Sequence, residues 1–214
     1  MFRGGGSSSA KKSSKQNAPV LEGSMDRVAM IDEEIFITGG DNGSLSLWSI
    51  NKKKPIFTLP VAHGREPAPT DEERFEGPNP EPGVVVRDQP RWITALKAVP
   101  YSDVVLSGSW DGWIRAWRVS ADKKKLEELG AIASDGRDGE PTIRGIVNDI
   151  ALYERGERAK NGLSVVVAVG KEHRLGRWKR EKGKNGLIVL EVSKKDILTN
   201  GVEDGVHSEA EEDD

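Results

Sequence analysis

Between Lys171 and Lys184 the chain gathers Lys171, Arg174, Arg177, Lys179, Arg180, Lys182 and Lys184 against only Glu172 and Glu181. Each Lys or Arg can neutralise a phosphate and release a counterion, and Arg can also stack on an unpaired base or fork onto a base edge. RNA contact is therefore one reading, made by Lys171, His173, Arg174, Arg177, Lys179 and Arg180. A solvated hairpin with outward charges is the other, and charge alone leaves both open. No further chemistry is spelled out. The carboxylates Glu66, Asp71, Glu72, Glu73, Glu76 and Glu81 sit in a Pro-rich stretch that cannot hold an acid/base pair at fixed distance. Gly4-Gly5-Gly6-Ser7 lacks the lysine and helix of a phosphate loop. With no cysteine and three scattered histidines there is no thiol catalyst and no metal spacing. The expectation is no catalytic residue, no metal and no cofactor.

The rest of the sequence must position that cluster. Of 214 residues, 36% are hydrophobic and 31% charged, with net charge −3, so nucleic-acid binding needs a local patch rather than the whole chain. Apolar runs are too short to span a bilayer, and no apolar stretch follows the N-terminal charges. The expected location is cytosolic or nuclear, with no membrane and no small-molecule substrate. Residues 1–24 read as a flexible Gly/Ser/Lys segment, 64–90 as a Pro-rich acidic insertion and 194–214 as an acidic tail. Residues 25–193 are the folded part.

Short Val/Ile-rich runs ending at Gly, Asn, Asp or Lys make that part all-β. Three segments align on a tryptophan: Phe36 to Trp48, Val105 to Trp117 and Val166 to Trp178. Each reads as an apolar strand, a turn and a second strand. Asn42-Gly43 and Asp111-Gly112 supply the positive φ that a tight turn needs. Further apolar runs flank each hairpin, giving four strands per unit, which is a propeller blade. The blades are expected near 25–63, 91–133 and 144–193, with Trp48, Trp117 and Trp178 as equivalent core tryptophans. Asp41, Asn42 and Asp111 read as turn-makers. Trp110 and Trp113 flank the second turn, either packed on the next blade or open to a base or a protein.

These hairpins resemble WD40 repeats: GDNGSLSLW and GSWDGWIRAW follow the G-S-x-D-G-x-I-x-x-W signature. The usual Trp-Asp closure reads Trp48-Ser49, Trp117-Arg118 and Trp178-Lys179, and His63-Gly64 is reversed and follows a strand. The buried His–Asp–Ser–Trp hydrogen-bond set is accordingly expected to be incomplete. The EHRLGRW element ending at Trp178 is similar to the last blade of the U3 small nucleolar ribonucleoprotein WD-repeat proteins, the U3-55K family, and the other two hairpins resemble preceding blades. The resemblance implies a seven-bladed scaffold that binds the box B/C region of U3 snoRNA with other snoRNP and processome proteins. It would act in pre-rRNA processing in the nucleolus. Three blades are an incomplete ring, so a C-terminal part or a truncated gene product is expected. A generic WD40 interaction platform without RNA contact is the alternative.

Overall fold

The computed structural model describes residues 23–67, 88–100, 102–132, 141, 143–157, 160–173, 176–181 and 183–193. The N-terminal segment, most of the Pro-rich insertion and the acidic tail lie outside the described residues. Strands β1 (Met25–Met30), β2 (Ile35–Gly40), β3 (Leu45–Ser49) and β4 (Phe57–Leu59) form an antiparallel meander. A two-stranded ribbon follows, β5 (Arg65–Glu66) with β6 (Gln89–Pro90), at the foot of the insertion. A second meander comprises β7 (Ala95–Ala98), β8 (Val104–Gly108), β9 (Ile114–Val119) and β10 (Leu126–Ala131).

Strand alternation explains how the sheets stack. Val105 and Trp117 point from the second sheet toward Ile37, Leu45 and Leu47 of the first. Leu106, Ile114 and Ala116 point the other way, onto Val147, Ile150, Val165 and Val167 of the third. Each joint is tightened at a glycine. A Cβ on Gly39 would meet Ile93 Cγ2 at 2.5 Å, and one on Gly108, at the matching repeat position, would run into Val147 Cγ1. At both joints an amide of the next sheet donates to the turn: Ile93 to the Gly40 carbonyl at 3.0 Å and Val147 to the Ser109 carbonyl at 2.9 Å.

The third unit departs from the repeat. Strands β11 (Ile146–Glu154) and β12 (Leu163–Gly170) pair as expected. The strand holding Trp178, β14 (Gly176–Arg180), instead pairs with the two-residue β13 (Glu172–His173) as a separate hairpin. Its place beside β12 is taken by β15 (Gly186–Val192), in continuous register from Leu163↔Val192 to Val169↔Gly186. The expected equivalence of Trp178 with Trp48 and Trp117 therefore fails in strand pairing. The physical reason is pattern: in β15 Ile188, Leu190 and Val192 face the core, whereas GRWKR offers one apolar side chain. Lys123 to Leu129, which reads equally as a short helix or a charged strand entrance, leads into β10.

Apolar side chains remain on the outer faces of the end sheets: Val28 and Met30 on the first, Tyr153, Leu187 and Val189 on the third. Leu187 is 72% exposed. An apolar sheet face of this kind is what a further blade covers.

The close joint yields a prediction. Gly108→Ala should lower stability by about 1–3 kcal/mol through overpacking. Adding Val147→Ala should recover part of that loss. Urea unfolding of the two variants checks it, and an unchanged midpoint for Gly108→Ala would show that this approach does not set the blade spacing.

Candidate nucleic-acid interface

The turns after β2 and β8 emerge on one face, with the segments that lead from one sheet to the next. Gly43 (φ 69°) and Gly112 (φ 84°) adopt the left-handed conformation foreseen for them. Asn42 Oδ1 accepts from the Ser44 amide at 3.0 Å, and Asp111 Oδ1 from the Trp113 amide at 3.4 Å, so both make their turns. Asp41 is different: it is buried and its Oδ1 has no hydrogen-bond partner.

Asp111 does more than close a turn. Trp117 Nε1 donates to Ser107 Oγ at 2.7 Å, Ser107 Oγ lies 2.8 Å from His63 Nε2, and His63 Nδ1 is 2.9 Å from both Asp111 oxygens. The carboxylate can only accept, so His63 Nδ1 carries a proton; with a neutral ring, Ser107 donates to Nε2. The buried His–Asp–Ser–Trp set is thus complete in the second blade, correcting the expectation drawn from the reversed His63-Gly64. Order along the chain did not matter, because the histidine arrives from the tail of the preceding blade. Val61 turns that tail with φ 52°, an unusual conformation for a β-branched residue. Two hydrogen bonds hold it there, Ala62 N to Gly43 O at 2.8 Å and Gly64 N to Val61 O at 2.9 Å. Among the described residues the first blade shows the Thr38–Trp48 part of the set, at 2.9 Å, with Asn42 where the second has Asp111.

Burial is the largest single influence on the Asp111 carboxyl and pushes it up, while the His63 hydrogen bond pulls it down. The charges of His63 and Arg115 and the Trp113 amide act the same way, and the group is held below its ordinary 3.8. Arg115 contributes through Nε at 3.3 Å.

Beside this set runs an aromatic seam. Trp110 Nε1 donates to Glu66 Oε2 at 2.7 Å, tying the second turn to β5. Trp110 and Trp92 lie 6.0 Å apart with planes tilted by 58°, and the Trp92 ring meets His173 edge-on at 5.9 Å. Arg91 Nη1 donates to the carbonyls of His63 at 3.2 Å and Arg65 at 2.8 Å, and its Nε lies 3.8 Å from Glu66. Deeper in, Arg27 of β1 donates to Thr94 O at 2.5 Å and Asn148 O at 3.4 Å, reaching the inner strands of both following sheets.

The root of the basic segment reaches this seam through His173. Lys171 leaves β12 half-buried, with its amide on Asn185 Oδ1 at 2.9 Å and its carbonyl accepting from the Glu181 amide at 2.8 Å. His173, expected among the RNA contacts, is only 6% exposed and packs against Trp92, so its role in this conformation is to anchor the hairpin. Arg174 lies outside the described residues. Arg177, Lys179 and Arg180 are placed by backbone on β14. His63, Trp92 and Arg27 were not singled out from the sequence as site residues; only His63, beside a glycine, carried a signal. Among the described residues no group of three or more His, Asp or Glu is placed to hold a metal ion.

No family model matches the chain. An uncharacterized WD repeat-containing protein of Schizosaccharomyces pombe is 42% identical over 86% of the chain and 33% of its own length. Ribosomal RNA-processing protein 9 of Saccharomyces cerevisiae is 40% identical over 77% and 28%. The human U3 small nucleolar RNA-interacting protein 2 is 31% identical over 79% and 29%. The solved structure of U3-55K superposes with a TM-score of 0.59 at 30% identity, covering 79% of this chain and 43% of that one. Over most of its length the chain is homologous to these U3 snoRNP-associated WD-repeat proteins, and it spans about a third of the length of the curated relatives it matches.

Removing one member of the buried set should be costly. His63→Ala leaves Asp111 and Ser107 short of a partner and should destabilise by about 3–5 kcal/mol. The lowered Asp111 value means that its pairing stabilises the fold above the unfolded carboxylate pKa. That stabilisation is lost as pH falls through the lower folded value. Asp111→Asn should therefore flatten the acid limb of stability below about pH 5. Urea midpoints measured across pH check both expectations, and an unchanged midpoint for His63→Ala would overturn the first.

Proposed function

We propose that this chain is part of an RNA-binding scaffold subunit of the U3 snoRNP and the small-subunit processome, acting in pre-rRNA processing in the nucleolus. The observation that carries this reading is its 40% identity to a protein named for ribosomal RNA processing, joined to its fold similarity to U3-55K. The chain's own chemistry agrees with that role. The second joint is pinned through buried groups, and the third unit diverts a whole β-hairpin, β13–β14, away from its sheet. A strand freed from pairing within a blade can present its side chains to a partner.

In this reading Lys171, Arg174, Arg177, Lys179 and Arg180 contact phosphates of U3 snoRNA in its box B/C region. His173 holds the hairpin in place from beneath. The snoRNP and processome proteins meet the remaining blade surfaces.

The test is electrostatic. Neutralising Lys171, Arg174, Arg177 and Lys179 together should weaken binding to a box B/C hairpin RNA. It should also reduce the log–log salt slope by about 3 to 4 if all four act on duplex-like backbone, and somewhat less on single strands. His173→Gln should leave the slope unchanged. An unaltered affinity and slope in the quadruple variant would make the hairpin solvated surface and favour the adaptor reading.

A further inference from the structure

The first two blades carry the same basic device on the side opposite the turns. Each has three consecutive lysines in the loop between its third and fourth strands, Lys52-Lys53-Lys54 after β3 and Lys123-Lys124-Lys125 after β9, and all six are exposed. Both loops are held in fixed shapes. In the first, Ser49 Oγ accepts from the Asn51 amide at 3.2 Å, and the Lys52 amide donates to Ser49 O at 3.0 Å. In the second, Ser120 Oγ accepts from the amides of Lys124 at 3.2 Å and Lys125 at 3.0 Å. Lys123 takes φ 55° there, a conformation that glycine, asparagine or aspartate adopts more easily. The β1–β2 loop lies beside both: Ile50 donates to the Glu34 carbonyl at 2.9 Å, and Lys123 Nζ pairs with Asp32 at 2.7 Å. Asp122 lies 3.8 Å from Lys124 and Asp103 3.9 Å from Arg118. Among the described residues no carboxylate pairs with Lys52, Lys53, Lys54 or Lys125, and exposed Glu33 and Glu34 offset only part of their charge.

We infer that the acidic C-terminal segment of this same chain, Glu203 to Asp214, docks on these lysines. It holds seven side-chain carboxylates and no Lys or Arg. The chain also leaves the fold on the side where the lysines stand. The amides of Ile93 and Val147 meet the turns, so β7 and β11 start at the turn side. Strand β11 therefore ends, and β12 starts, on the opposite side. Strand β15 runs antiparallel to β12 and finishes with Val192 paired to Leu163, on the side of the lysine loops. From Ser193 to Glu203 the chain can extend about 35 Å. Packed sheets lie about 10 Å apart, so that reach covers both preceding blades. Exposed charges attract one another weakly and are screened by salt. Tethering compensates, because it makes the encounter intramolecular, at an effective concentration of about a millimolar or more. A tail seated there keeps other polyanions off this side of the blades. The docking does not depend on the RNA-binding reading.

The experiment uses the 214-residue chain, which has no cysteine of its own. Ala121→Cys, beside the second lysine loop, and Ala210→Cys, among the acidic residues, together carry a donor–acceptor dye pair. Energy transfer should be high at low salt and fall by about half or more near 1 M salt, where the screening length is about 3 Å. Replacing Lys52, Lys53, Lys54, Lys124 and Lys125 together by Gln should cause the same fall at low salt. Lys123 is kept because it pairs with Asp32. Glu209→Gln, Glu211→Gln, Glu212→Gln, Asp213→Asn and Asp214→Asn combined should do likewise while altering no described residue. Neutralising Lys171, Arg174, Arg177 and Lys179 instead should leave the transfer unchanged. Circular dichroism melts confirm that each variant is folded. Low transfer in the chain with its charges intact, transfer that survives either charge variant, or an equal fall on neutralising the Lys171 set would overturn the docking. Equal transfer between singly labelled chains mixed together would give the lysines to the tail of a second copy, and overturn it as well.

Discussion

Everything on the turn-side face depends on one buried chain of hydrogen bonds, Trp117 to Ser107 to His63 to Asp111. Trp117 sits in the apolar joint between the first two blades, Ser107 in β8, Asp111 in the turn that follows, and His63 in the tail of the preceding blade. The chain of bonds thus joins the hydrophobic core to the surface and one blade to the next. His63 is 1% exposed, so none of its partners can be replaced by water without opening the joint. The fold accepts an unfavourable backbone conformation at Val61 to bring the imidazole there. Just beyond His63 the chain leaves as β5, and Glu66 of that strand orients Trp110. The surface aromatic seam is therefore an extension of the buried set and not a separate accident of packing.

The same dependence explains why glycine recurs beside the serine or threonine of each set. Ser107 is followed by Gly108 and Thr38 by Gly39. The hydroxyl points toward the tryptophan in its own sheet, and the neighbouring residue, on the opposite face, must let the next blade's Val147 or Ile93 approach. A serine–glycine pair at the end of an inner strand therefore serves two joints at once. In the third unit the matching residues are Ala168 and Val169, with neither hydroxyl nor glycine, and Glu172 stands at the place of Asp111. No polar set is available to hold a strand ending in Trp178 beside β12. The apolar alternation of β15 settles the pairing instead.

Much of this was legible in the sequence. Trp48 and Trp117 each follow their hydroxyl partner by ten residues, and Asn42-Gly43 and Asp111-Gly112 announce tight turns, so the first two hairpins could be read outright. What could not be read was anything requiring two blades at once. His63-Gly64 looked misplaced because its partners lie 44 and 48 residues further on, across the long insertion. His173 looked like a surface contact because nothing along the chain announces that Trp92 lies over it. The third unit misled for another reason. A tryptophan at the repeat spacing outranked the stronger period-two pattern of Leu187 to Val192, although burial of Ile188, Leu190 and Val192 is the larger driving force.

The departure in the third unit has a functional logic. A tight Asp-Gly turn would have closed β12 directly onto the strand holding Trp178 and buried half of that strand's side chains. Glu172 and His173 replace the turn with a short ribbon. The Glu172 carbonyl is taken by Asn148 of β11 at 3.1 Å, and the His173 ring by Trp92 of the second blade. The first contact ties the ribbon's root to its own blade and the second to the preceding one, while β14 pairs with β13. The cations of β14 then belong to an element paired outside the third sheet, whose place beside β12 is filled by β15. Placing charge on such an element avoids the desolvation that a charged strand inside a stacked sheet would suffer. The broken repeat is thus the arrangement by which a propeller blade can carry a dense basic patch without weakening its own core.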